Sequence, residues 1–151
     1  LFTAIVTENA DSALSSLPAQ NIEASDLETA LTTFGNHLMN VYMSPTVIGI
    51  FRIAVTEAHR FPELVKSFYE QGPGRTTSRL AEVLEAAKAR GEIRTDNCRR
   101  LADHFVGMIR DNLHLQVVLG IRPPPSQKEI RVAVESAVAI FLNGVRLNRS
   151  V

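Results

Sequence analysis

The 151-residue sequence holds one cysteine, Cys98, which excludes an internal disulfide and a multi-cysteine zinc site and suits a reducing compartment. It has no surplus of either charge, since 16 Lys+Arg balance 16 Asp+Glu. Phosphate contacts dominate nucleic-acid affinity and basic clusters mark membrane-surface binders, so a neutral chain is expected to hold neither by itself. No apolar run approaches the ~20 residues that cross a bilayer, and nothing at the N-terminus has the layout of a signal peptide. A cytoplasmic location with no membrane partner is the expectation. Alternating polar and apolar strand patterns are missing, as are internal repeats and low-complexity tails.

The catalytic signatures are missing too. There is no HExxH, no Glu-x-x-His pair of the di-iron kind and no Gly-x-Ser-x-Gly elbow. Gly72-Pro73-Gly74-Arg75-Thr76-Thr77 could offer backbone N–H groups to an anion, but it lacks a P-loop lysine and no strand precedes it. A structural kink explains it better. Cys98 has no specified base. No enzyme activity and no cofactor are expected.

What is present is helical punctuation. At 45% apolar and 21% charged residues, the chain suits one folded domain, 1–151, with a real core. Ser25-Asp26-Leu27-Glu28 has a capping-box pattern, followed by Leu27, Leu31, Phe34, Leu38, Val41 and Tyr42 on one face. Ser44-Pro45 offers an N-cap and a first-turn proline for a helix over 46–60. Phe61, Leu64, Val65, Phe68 and Tyr69 form the next stripe, behind Pro62. After the Gly-Pro-Gly break, Leu80, Val83, Leu84 and Ala87 form another, with Gly91 as its C′ stop. This pair reads as two helices facing one core, with Phe68 and Tyr69 pointing into a space behind the kink. Asp96 can cap a helix carrying Leu101, Phe105, Met108 and Ile109, which Gly120 and Pro123-Pro124-Pro125 end. Ser126-Gln127-Lys128-Glu129 is a second capping box, before a helix from Ile130 to about Leu147. An all-α antiparallel bundle of about six helices follows.

The last helix is apolar on more than one side. Ile130, Val134, Ala137, Phe141 and Val145 form one stripe, which Ala133, Val138, Ile140 and Leu142 widen. Either its own fold wraps it, or a second copy covers it together with Leu115, Val118 and Leu119 of the preceding helix. The chain also opens abruptly on Leu1-Phe2-Thr3-Ala4-Ile5-Val6, already at helical spacing and without a cap, as though cut from something longer.

Two sets of side chains could carry chemistry. On the helix over 97–119, His104, Asp111 and His114 fall on one side, the outer two about 80° apart at 100° per residue. They could give a metal two ligands, although hydrogen bonding in a partly buried seam explains them better. His59 suits a helix C-terminus. The second set is aromatic: Phe34 and Leu38, Phe51 and Val55, Phe68, and Phe105 and Met108 come from four helices. Such residues line small-molecule cavities and equally fill helical cores.

Three stretches resemble TetR/AcrR-type transcriptional regulators. LFTAIV resembles the first helix after that family's DNA-binding headpiece. SPTVIGIFRIAVTEAHRFPELVKSFYEQGPGR resembles the middle helices of its AefR-like C-terminal domains, and ARGEIRTDNCRRLADHFVGMIRDNLHLQVVLG the helix leading into the dimerisation pair. The resemblance implies a homodimer built from the last two helices, with Leu115, Val118, Leu119, Val134, Val138, Phe141, Leu142 and Val145 at the interface. It implies a cavity for a small, mostly apolar effector, lined by Phe34, Leu38, Phe51, Val55, Phe68, Phe105 and Met108, with His37, Arg52, His104 and Asn112 orienting the ligand. Operator DNA would be held only by a helix-turn-helix headpiece ahead of Leu1, and the helix from Leu1 to about Leu17 would transmit the signal. Two other readings remain open at this point: a helical interaction module without a small ligand, and a small metal-binding helical protein.

Overall fold

A computed structural model describes residues 27–145, together with Ala4, Glu8 and Asp11. The three isolated residues are helical and exposed. The capping residues Ser25 and Asp26, and the rest of the expected transmitter helix, lie outside the described residues. Six helices follow: α1 (Leu27–Tyr42), α2 (Pro45–Glu57), α3 (Pro62–Gln71), α4 (Pro73–Ala89), α5 (Cys98–Val118) and α6 (Gln127–Val145). No single one is long and apolar enough to cross a membrane; α1 and α2 reach that composition only jointly, across a 67° bend.

Local chemistry accounts for most of the boundaries. Ser44 accepts a hydrogen bond from the Val47 N–H at 3.3 Å, and Pro45 occupies the first helical position of α2. α2 stops at Glu57 rather than Arg60, because the residue before Pro62 is pushed out of helical geometry; Phe61 sits at φ −130°, ψ 62°. Gly91 at φ 77° and Gly120 at φ 74° both close Schellman turns: Glu92 N–H donates to Ala87 O (3.0 Å) and Ile121 N–H to Gln116 O (3.1 Å). Asn97, not the expected Asp96, caps α5, its Oδ1 accepting from the Arg100 N–H at 2.9 Å. Ser126 caps α6 through the Glu129 N–H, while the Glu129 carboxylate turns to Arg122 instead of closing the box. The one Asn-Gly pair, Asn143-Gly144, lies in the last turn of α6.

The break after α3 is one residue wide. Gly72, at φ −112° and ψ −100°, is shared between the end of α3 and the start of α4, which begins at Pro73, inside the Gly-Pro-Gly break rather than after it. The Thr76, Thr77 and Ser78 hydroxyls each donate back to the carbonyl four residues earlier, reinforcing the turn. Gly74 is needed for close approach. A Cβ there would stand 3.0 Å from the Tyr69 ring and 3.0 Å from its carbonyl.

α5 is the central element, packed on α4, α6 and α1; α1 also lies along α6, and α3 leans on α4 from outside. Phe34, Leu31, Leu38, Met39, Leu80, Leu84, Phe105, Ile109 and Val134 form the fully enclosed centre. α1 comes so near α6 that a Cβ at Gly35 would meet Val134 at 2.8 Å and Ile109 at 3.0 Å. α4 meets the expectation of a core-facing helix, with Leu80, Leu84 and Ala87 all at 0% exposure. α3 does not. It buries no residue completely, and Phe61, Leu64 and Tyr69 remain exposed, so the pair does not share one core equally. An amphipathic stripe states that a helix has an apolar face, not how deeply that face is covered.

Candidate functional site

α5 is broken once. Asp111 adopts φ 48° and ψ −165°, non-helical geometry inside the Cys98–Val118 span. A residue with a side chain in such a region stores about 1–3 kcal/mol of strain. The break also resets which residues share a side. His104 and Asp111 are exposed, whereas His114 is buried at 8% exposure, so the three do not assemble as a straight helix would place them. Among the described residues no group of three or more His, Cys, Asp or Glu side chains could hold a metal ion. Cys98 is buried, and burial with the neighbouring Glu85 pushes its thiol up, keeping it protonated and inert.

Around the break lies a cluster of polar and aromatic side chains. The Arg110 guanidinium stands over the Tyr42 ring, 5.5 Å from its centroid. Tyr42 lies 5.8 Å from the His114 ring, and His114 meets Phe51 edge-on at 5.2 Å. The series therefore runs Arg110–Tyr42–His114–Phe51 and ties α1, α2 and both parts of α5 together. Burial, followed by the nearby Arg110 charge, lowers the His114 imidazole from 6.5 to about 4, so it is neutral at physiological pH. Burial raises the Tyr42 phenol, with Arg110 opposing the rise and Tyr69 adding to it. Arg110 Nε is enclosed and has no hydrogen-bond partner among the described residues. An enclosed donor left unpaired costs about 1–3 kcal/mol, more when it belongs to a charged group.

The neutral histidine makes a testable difference. Its folded value lies below the unfolded one, so the unfolded chain binds the extra proton between pH 6.5 and about 4. Stability from this group is fully present above pH 6.5 and is lost as the pH falls through that window. Urea titrations at pH 7, 6, 5 and 4 are expected to show this loss, with a shallower dependence in His114→Gln. An equal slope in both proteins would remove His114 as its source.

The other sequence-predicted ligand residues are placed as follows. Phe34 and Phe105 stack at 6.4 Å in the core beside Leu38, and Phe105 meets Phe141 edge-on at 5.0 Å. Met108 packs against this core, and Phe51 and Phe68 are partly buried. Val55 is 63% exposed, and His37, His104 and Asn112 are exposed as well. Arg52 donates to the Val118 and Val117 carbonyls at 3.0 and 2.9 Å, which engages it in closing α5 against α2. Of the predicted interface residues, Leu115 and Leu119 are exposed, and Val118 and Val145 are partly buried. Val134, Val138, Phe141 and Leu142 are enclosed by the chain's own helices, which leaves Val132 and Ile140 as the apolar outer face of α6.

Sequence reasoning missed Arg110 and Tyr42 as partners and assigned His114 to a different side of its helix. A signal existed for Arg110, which follows buried Val106 by four residues and so continues a core-facing row; the break at Asp111 removes that reasoning for His114.

The described residues thus form an all-α bundle whose central helix packs on three others and carries a charged and aromatic cluster at its break. Residues 29–144 match the family model of the AefR-like transcriptional repressor C-terminal domain. The chain belongs to the TetR family of transcriptional regulators. It is similar to the flavonoid-responsive regulator FrrA, at 28% identity and a TM-score of 0.82 over 98% of this chain and 74% of that one. It shares its fold with a TetR-family regulator from Mesorhizobium loti MAFF303099 (21% identity, TM-score 0.85, 97% and 72% coverage). A TetR regulator from Agrobacterium tumefaciens is likewise similar in fold (23% identity, TM-score 0.76, 97% and 72% coverage). No curated protein matches the chain.

Proposed function

We propose that this chain is the effector-binding and dimerisation domain of a ligand-responsive repressor. The observation that carries the reading is the Arg110–Tyr42–His114–Phe51 cluster, a set of polar and aromatic groups gathered from three helices at a strained break. An effector that binds one arrangement of this break better than another shifts the population towards it. Transmission to a headpiece would run through the helix to which Asp11 belongs; Asp11 pairs with Arg75 in the first turn of α4. Operator affinity then falls because the half-site spacing no longer matches.

The relative FrrA is flavonoid-responsive by name, which makes a flavonoid a reasonable first effector to try here. Operator binding by the full-length regulator, measured by fluorescence anisotropy with and without such an effector, tests the proposal. Unchanged affinity across flavonoids and simpler aromatic compounds would sink it.

Dimerisation is assigned to the end of α5 and the outer face of α6, where Leu115, Leu119, Ile121, Val132 and Ile140 are all more than half exposed. Scattered apolar residues are normal on a surface; five along two adjacent helices and the turn between them suit a partner helix pair. Ile140→Glu is expected to shift sedimentation from dimer to monomer while leaving the helical circular-dichroism signal unchanged. A mass that does not change would move the interface elsewhere.

A further inference from the structure

We propose that Arg110 binds an anionic oxygen carried on an aromatic ring, so that the effector class is a planar aromatic anion such as an aryl carboxylate or an acidic phenol. The inference rests on reading this chain as an effector-binding domain and adds the chemistry of the ligand. The starting observation is that Arg110 Nε is enclosed without a hydrogen-bond partner among the described residues. None of the ion pairs among those residues includes Arg110. Arg52, a few ångströms of chain away from Phe51, shows the contrast, because two of its guanidinium N–H groups end on carbonyls. An unsatisfied enclosed donor in a native fold calls for a reason, and a missing acceptor is the simplest one.

The surroundings select the acceptor. His114 is neutral, so Arg110 is the positive charge at the cluster, and an anion is favoured over a neutral oxygen. The planar guanidinium presents paired N–H donors that match a carboxylate in two-point fashion. Aromatic groups adjoin it in series: Tyr42 lies under the guanidinium, His114 packs on Tyr42 at 5.8 Å between centroids, and Phe51 on His114 at 5.2 Å. A flat aromatic body fits such neighbours through offset or edge contacts. The Asp111 break places Arg110 at the end of one helical piece and His114 four residues on in the next, with both reaching Tyr42.

Isothermal titration of the full chain with trans-cinnamate, its neutral analogue cinnamamide, and sodium sulfate tests the proposal; 4-nitrophenolate and 4-nitroanisole extend it from carboxylate to phenolate. Cinnamate is expected to bind about tenfold or more tightly than cinnamamide, the fold-change of one charge-assisted hydrogen bond. Sulfate is expected to bind more weakly than cinnamate, since it lacks the ring. Arg110→Gln is expected to abolish the preference for cinnamate while cinnamamide binding stays within about twofold. Arg110→Lys, which keeps the charge without the fork, is expected to restore part of it. Equal affinity of the wild-type chain for cinnamate and cinnamamide would overturn the inference, whether or not Arg110→Gln folds. So would a preference that survives in Arg110→Gln, or the absence of binding by every anion. If neutral aromatic compounds alone bind and release the operator, the inference fails while the effector-domain reading stands; if nothing binds or releases, both fail.

Discussion

Phe141→Glu is expected to unfold the protomer, not to separate two copies of it. The sequence placed Phe141 on a helix with too much apolar surface, where a second copy could have covered it. In the structure Phe141 is 4% exposed and meets the Phe105 ring edge-on at 5.0 Å, inside the chain's own bundle. A carboxylate there would have no partner, and leaving a charge unpaired in such a site costs about 3–5 kcal/mol, before the lost aromatic contacts are counted. That is a large share of the roughly 5–15 kcal/mol that holds a domain folded. Circular dichroism and urea melts should show loss of the cooperative transition at 25 °C. A folded monomer would contradict this placement and return Phe141 to an interface. The neighbouring Ile140→Glu serves as the control, because Ile140 is 61% exposed and an added charge there stays in water.

Phe105→Ala is expected to lower stability by about 3–5 kcal/mol, the usual range for truncating an enclosed phenylalanine. The upper part of the range applies for a structural reason. Phe105 is 0% exposed on α5, the helix that packs on α1, α4 and α6, and its ring stacks with Phe34 at 6.4 Å and meets Phe141 at 5.0 Å. These two neighbours belong to two other helices, α1 and α6, so no single side chain can move into the gap without dragging a helix with it. Denaturant unfolding should show a lower midpoint with an unchanged slope. A loss below about 1 kcal/mol would mean that the bundle relaxes around the cavity. Because the sequence counted Phe105 among ligand-lining residues, the same variant also separates roles. Effector affinity that falls only as far as the folded fraction falls marks Phe105 as core.

Helix ends were legible because their causes lie within a few residues. Ser44-Pro45, Gly91, Gly120 and Ser126 each act on N–H or C=O groups of the adjoining turn, and each appears in the expected task. Asn97 displaced Asp96 as a cap because either residue type can accept the bond, and the phase of α5 decided between them. The candidate site was legible only in fragments. Phe51 and His114 drew attention, but Tyr42 fell on a core-facing stripe and Arg110 drew none, since residues 42, 51, 110 and 114 meet only through long-range packing.

The sequence by itself determined an all-α chain, its points of interruption and its likeness to TetR regulators, because caps, breakers and the 3.6-residue period are local properties of the chain. Tertiary structure decided which of α6's apolar sides faces inward, how far α3 stays outside, and that α5 breaks at Asp111. Those choices lie between apolar surfaces of similar quality, and only the volume and shape of the neighbouring helices distinguish them. Arg110, whose Nε has no hydrogen-bond partner among the described residues, belongs to the same kind of outcome: the helices around it hold it beside Tyr42.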